Sequence, residues 1–270
     1  MEHEVTFKSA WTDLKRWRIP LVVLALTALV ISLVEYWFLS GAYTKNFPEW
    51  NQTYSPGVYY GSWKRVPPGT EAPWWGVLGP WAWWVGGTFA LWVIVPMVAA
   101  RLLGFRPLEL GLRWGGLVRK AWIYGVFFLI VMVGVWWAST QEGFTRTYPM
   151  LKPWFCEHWT WAVLLCFWAL YGLQFFAVEF FFRGWMLFTL EKDFGLGAIA
   201  VMTVPYCMIH FHKPLPEALG AIIAGTVLGW MALKTRSIWG GVLLHTAIAL
   251  CMDIAALLQG DWGLPKEFGP

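Results

Sequence analysis

Apolar runs of bilayer-spanning length recur at about 19–40, 79–100, 121–138, 158–190, 194–210, 216–234 and 237–259. The stretches between them carry most of the Pro, Gly and charged residues. The pattern predicts an all-α polytopic transmembrane bundle of seven helices. The fourth run is longer than a bilayer needs, so it has to tilt, kink or project. A break near Gly172 would make the count eight. The first run is about 20 residues, which suits a spanning helix better than a signal-peptide core. Three divisions follow: residues 1–157 with three spans and a long outer loop at 41–78, a four-helix core at 158–259, and a tail at 260–270.

Composition agrees with a membrane solvent. Hydrophobic residues make up 58% of the chain and charged residues 13%, whereas soluble domains carry about a quarter charged residues. Many of the 23 Trp residues fall near predicted span ends, Trp75, Trp81, Trp159 and Trp239 among them, where an indole sits at headgroup level. With the N-terminus inside, inner segments hold twelve Lys/Arg and outer segments seven. That bias predicts a cytoplasmic N-terminus in the plasma (inner) membrane. The net charge of +4 is spread over loops, so membrane lipid and not nucleic acid is the expected partner. Cys166, Cys207 and Cys251 lie in apolar runs and are expected to be small core residues, with no CxxC spacing to hold a metal. Asn51-Gln52-Thr53 matches a glycosylation sequon, a pattern common by chance.

Two further patterns speak to packing. The connector at 101–120 mixes basic and apolar residues and is expected to lie in the membrane interface, with a gate or docking segment as the alternative. Gly225 and Gly229 form a GxxxG pattern, which allows a neighbouring helix to approach closely.

The exceptions to the apolar pattern carry the chemistry. Glu179 and Arg183 stand within an otherwise apolar stretch. Each costs on the order of 3 kcal/mol at bilayer depth by insertion scales, and such residues are functional candidates by default. Four apart on a helix, they share a face and can pair. His210 and His245 lie in similar surroundings. At about 1.5 Å per residue, Glu179 lies roughly 18 Å and His245 roughly 14 Å from the inner turns. His210 comes out at roughly 25 Å, a figure that a kink at Pro205 would shorten. Three helices can therefore bring an acid and two histidines to one depth.

Such a set suits water activation. Glu179 could accept a proton from water, and a neutral His could stabilise an oxyanion or ligate a metal. Glu179, His210 and His245 could also form a zinc site. Zinc and no metal both stay open at this point. His212 and Glu217 at the next helix junction, and Asp253 about two turns beyond His245, are candidate supporting groups.

Three motifs in order, Glu179-x-x-x-Arg183-Gly184, Tyr206-x-x-x-His210 and His245 after Ser237–Gly241, resemble the CPBP family of intramembrane proteases. That family includes the CAAX prenyl endopeptidases and bacterial abortive-infection or bacteriocin-immunity proteins. The resemblance covers about residues 158–259. It implies hydrolysis of a peptide bond in a membrane-associated protein, lipidated or transmembrane, with Glu179, His210, His245 and Arg183 as site residues. Two positions depart from the family pattern. Val178 stands where the family usually has the first Glu of Glu-Glu-x-x-x-Arg, and Ala249 stands where it has Asn in His-x-x-x-Asn. A non-catalytic scaffold for immunity or sorting is the competing reading. A transporter is the third, disfavoured because no inverted repeat is visible.

Overall fold

The computed structural model describes residues 15–39, 73–141, 143–211, 215–261 and 263–268. Most of the 41–78 loop, the Asn51 sequon and His212 lie outside the described residues. Among the described residues the chain is all-helical. Its seven main helices are α1 (Arg18–Phe38), α2 (Trp74–Leu102), α3 (Gly116–Ser139), α4 (Trp161–Phe194), α5 (Gly197–Met208), α6 (Leu215–Thr235) and α7 (Trp239–Gln259). Six have the length and apolarity to cross a membrane.

The exception is α5. The expected span at 194–210 is a 12-residue helix. At 1.5 Å per residue it covers about 18 Å, well short of the roughly 30 Å hydrocarbon core. It packs as one arm of a hairpin with α6, runs through Pro205 to Met208, and ends in the turn at 209–211. The GxxxG pattern makes that hairpin close. A Cβ on Gly225 would meet the Thr203 and Tyr206 side chains at 3.0 Å, and one on Gly229 would meet Met202 at 3.0 Å.

The 34-residue helix α4 is the centre of the bundle, packed on α2 and α7. It runs through Gly172 without a break. Its irregularity lies further on, at the π-helical stretch Phe180–Leu187, where every side chain is buried. A stretch buried on all sides is not a lipid-facing span. α1, α2, α5 and the connector before α3 close around it. π-Helical turns inside α-helices often coincide with functional positions, because the extra residue per turn re-aims the side chains. In α2 a similar stretch, Ala90–Ile94, comes just before Pro96, whose missing N–H removes one regular hydrogen bond.

The connector is docked on one side and does not lie wholly in the interface. Leu110 is fully buried and Leu108 is exposed. Ile238 N–H donates to the Gly111 carbonyl at 3.0 Å. By contrast α3 stands at the periphery, with Trp122, Leu129, Val133 and Trp136 exposed, as a lipid-facing helix requires. The cysteine expectation needs correction. Cys166 is exposed on the apolar surface, Cys207 and Cys251 are half-buried, and the buried one is Cys156 in the α3–α4 loop. Thiols are small and apolar enough to face lipid as readily as a core.

Asp253 also serves a different purpose from the one expected. It is fully buried on α7 and accepts hydrogen bonds from Met150 N–H at 2.8 Å and Trp168 Nε1–H at 3.2 Å. It thus ties the α3–α4 loop to α4 and α7, about 12 Å along the helix from His245. Near it, Lys152 is 1% exposed, with Nζ 3.5 Å from the Thr145 carbonyl. Burial pulls the Lys152 amine down from 10.5 to about 8, against the opposing charge of Asp253. In the unfolded chain the amine binds its proton at the higher pH, so protonation favours unfolding across this window. Stability is expected to rise with pH between about 8 and 10.5, by on the order of 3 kcal/mol. Thermal unfolding in detergent from pH 7.5 to 10 should show the rise in wild type and lose it in Lys152→Met. An undiminished rise in the variant would assign it to another group.

Candidate functional site

Glu179 ends the regular part of α4, and Arg183 lies in the first turn of the π-helical stretch. Their side chains are 1% and 0% exposed. Glu179 Oε1 is 3.1 Å from Arg183 Nη1. The same oxygen is 2.8 Å from Nδ1 of His245 on α7. These are contacts by distance, with the N–H bonds not fully aligned on the oxygen. Glu179 Oε1, His245 Nδ1 and the three guanidinium nitrogens have no directed hydrogen-bond partner elsewhere among the described residues. Leaving buried polar atoms unpaired is costly, and the contacts that offset this cost are those of Nη1 and Nδ1 with Oε1.

The α4–α7 approach that allows this depends on Gly241. A Cβ there would collide with the Glu179 carboxylate. The carboxylate is therefore enclosed by backbone, guanidinium and imidazole.

α5 supplies the third wall. The Tyr206 ring lies over the guanidinium, with Arg183 Cζ 4.2 Å from the ring centroid. Such a desolvated cation–π contact is worth about 2 kcal/mol. The Tyr206 hydroxyl is 3.3 Å from His245 Nε2. Four residues on, His210 Nδ1–H donates to the Tyr206 carbonyl at 2.8 Å, and the two rings lie 4.9 Å apart. Phe175 stacks on His245 at 5.4 Å. On the other side of the cluster, the Tyr124 hydroxyl is 3.3 Å from Thr235 Oγ1.

The structure thus brings together Glu179 and Arg183 of α4 and His245 of α7, with Tyr206 of α5 touching Arg183 and both histidines, so that His210, in the turn after α5, joins the cluster through Tyr206. Tyr206 entered the sequence reading only as the aromatic of a motif. Its place four residues before His210, on the same helical face, was the signal that it belonged to the site. Glu217 is half-buried in the first turn of α6, near the end of α5, where Cys207 Sγ meets the Ala218 carbonyl. Asp253 is committed to the loop.

A zinc site does not fit these residues. Among the described residues no three His, Cys, Asp or Glu side chains group as metal ligands. Glu179 Oε1 faces Arg183 and His245, and His210 Nδ1 is taken by a carbonyl.

Residues 158–251, which carry all five of these side chains, match the family model described as type II CAAX prenyl endopeptidase Rce1-like. No curated protein and no solved structure matches the chain.

Proposed function

We propose, from this family match and the site it spans, that the chain is an intramembrane endopeptidase of the CAAX prenyl endopeptidase type. Its substrate is a membrane-associated protein, lipidated or transmembrane, and its other partner is membrane lipid. The observation that carries the reading is the committed Nδ1 of His210. In the neutral ring that hydrogen bond puts the lone pair on Nε2. His210 is half-buried, whereas Glu179 is 1% exposed. The base is therefore His210 and not Glu179. Nε2 takes a proton from water, the hydroxide oxygen adds to the scissile carbonyl, and the imidazolium returns the proton to the leaving amine. Glu179 accepts the Nδ1–H of His245 and orients its ring, while Arg183 holds Glu179 in place. The test is turnover of membrane-embedded reporter peptides, prenylated and unprenylated, by purified protein in nanodiscs.

A second reading has its own support. Val178 and Ala249 replace two polar residues of the family pattern, and the remaining carboxylate is enclosed. On that reading the charge cluster clamps α4, α5 and α7 in a non-catalytic scaffold. Absence of turnover across a broad peptide panel, with the fold intact, would favour it.

The proposed orientation places the N-terminus and the 101–120 connector in the cytoplasm and the 41–78 loop outside, in the plasma (inner) membrane. An impermeant thiol reagent on intact cells should label Lys64→Cys and spare Arg113→Cys. The reverse pattern would invert the topology.

A further inference from the structure

We infer that the Tyr206 hydroxyl is a positioning group that donates a hydrogen bond to Nε2 of His245, so that one residue supplies a hydrogen-bond partner to both site histidines.

The two ring nitrogens of His245 face different partners. Nδ1 faces the Glu179 carboxylate oxygen at 2.8 Å. A carboxylate only accepts, so Nδ1 carries the proton. Nε2 faces the Tyr206 hydroxyl at 3.3 Å. In the neutral ring Nε2 is then an acceptor, and the hydroxyl donates to it. Tyr206 is 2% exposed, so its hydroxyl depends on such a partner more than an exposed one would. The other end of the same residue acts on His210. Its backbone carbonyl accepts the Nδ1–H of that ring at 2.8 Å. Both imidazoles are therefore held with the proton on Nδ1 and the lone pair on Nε2.

The position of the hydroxyl is itself constrained. The ring is pinned by Arg183 on one face, by the edge-to-face contact with Phe182 at 5.2 Å, and by the narrow approach of Gly225. A phenylalanine would keep every one of these contacts and the carbonyl bond to His210. It would remove only the hydroxyl. The chain therefore offers a substitution that separates positioning from packing.

The kinetic part of this inference rests on the proposed hydrolase. The structural part does not. The experiment is Tyr206→Phe in the full chain in nanodiscs, with the ring nitrogens of ¹⁵N-labelled histidines followed by NMR. His245→Gln provides the assignment. In wild type, His245 is expected to show one protonated nitrogen and one bare nitrogen, the latter shifted by hydrogen bonding. In Tyr206→Phe the bare Nε2 resonance should move towards the value of an imidazole without a donor, with Nδ1 and the thermal midpoint nearly unchanged. Wherever wild type hydrolyses a reporter, kcat should fall on the order of tenfold with KM within about twofold. An Nε2 resonance unmoved by the substitution, or two protonated nitrogens on His245 in wild type at pH 8, would overturn the inference. A wild type without turnover removes the hydrolase reading and leaves the resonance shift as the deciding observation.

Discussion

Arg183→Ala is expected to cost roughly 3–5 kcal/mol and to lower the folded yield sharply, because it leaves a buried carboxylate without its cation. Arg183 is fully buried, 3.1 Å from Glu179 and under the Tyr206 ring. Alanine removes the ion pair, the cation–π contact and the packing of a long side chain in one step. The His245 contact at 2.8 Å replaces neither the cation–π contact nor the lost packing. A control separates charge from volume. Arg183→Met with Glu179→Gln leaves no unpaired charge and fills most of the space, so it should recover much of the lost stability. The measurement is the thermal midpoint in detergent for Arg183→Ala and for the double variant. A midpoint for Arg183→Ala equal to wild type would remove the ion pair from any account of this fold. Equal losses in Arg183→Ala and in the double variant would show that the unpaired carboxylate is not what costs the stability.

The charge cluster was legible in sequence because the membrane makes its cost conspicuous. Glu179, Arg183, His210 and His245 stood out against apolar neighbours, and rise per residue gave comparable depths for the acid and His245. The long fourth helix was also legible, but its irregularity was not at the glycine. Gly172 is tolerated inside α4. The π-helical stretch falls on Phe180–Leu187, a run whose hydropathy is uniform and reveals nothing about backbone pattern. The short α5 was overestimated because hydropathy cannot tell a span from an apolar segment buried inside the bundle. Asp253 was misplaced for a related reason. Periodicity put it near the face of His245, but the face gives no depth, and two turns carry it to the loop that it holds. Tyr206 needed the tertiary structure. Only the α5–α7 approach brings its hydroxyl to His245, and only the α4 turn puts Arg183 beneath its ring.

His210→Ala is expected to lower kcat/KM by about 10²–10⁴, the usual worth of a positioned general base. His210 is half-buried, so the thermal midpoint should move less than in Arg183→Ala, which empties a fully buried position. Glu179→Gln asks a different question. The amide is the same shape but presents both a donor and an acceptor to His245 Nδ1. The imidazole then loses the fixed tautomer that the carboxylate enforces. Loss of activity is therefore expected in Glu179→Gln and also in His245→Ala. The two roles are told apart by small exogenous bases. Imidazole added to the assay should restore part of the activity of His210→Ala, because a diffusing base can stand in for the missing one. It should not restore Glu179→Gln, whose base is intact and whose orientation is lost. Rescue of Glu179→Gln by imidazole would return the role of base to Glu179. Full activity in His210→Ala would exclude His210 from the proton transfer and return the role of base to a carboxylate, with Val178 marking where the family's acid is absent.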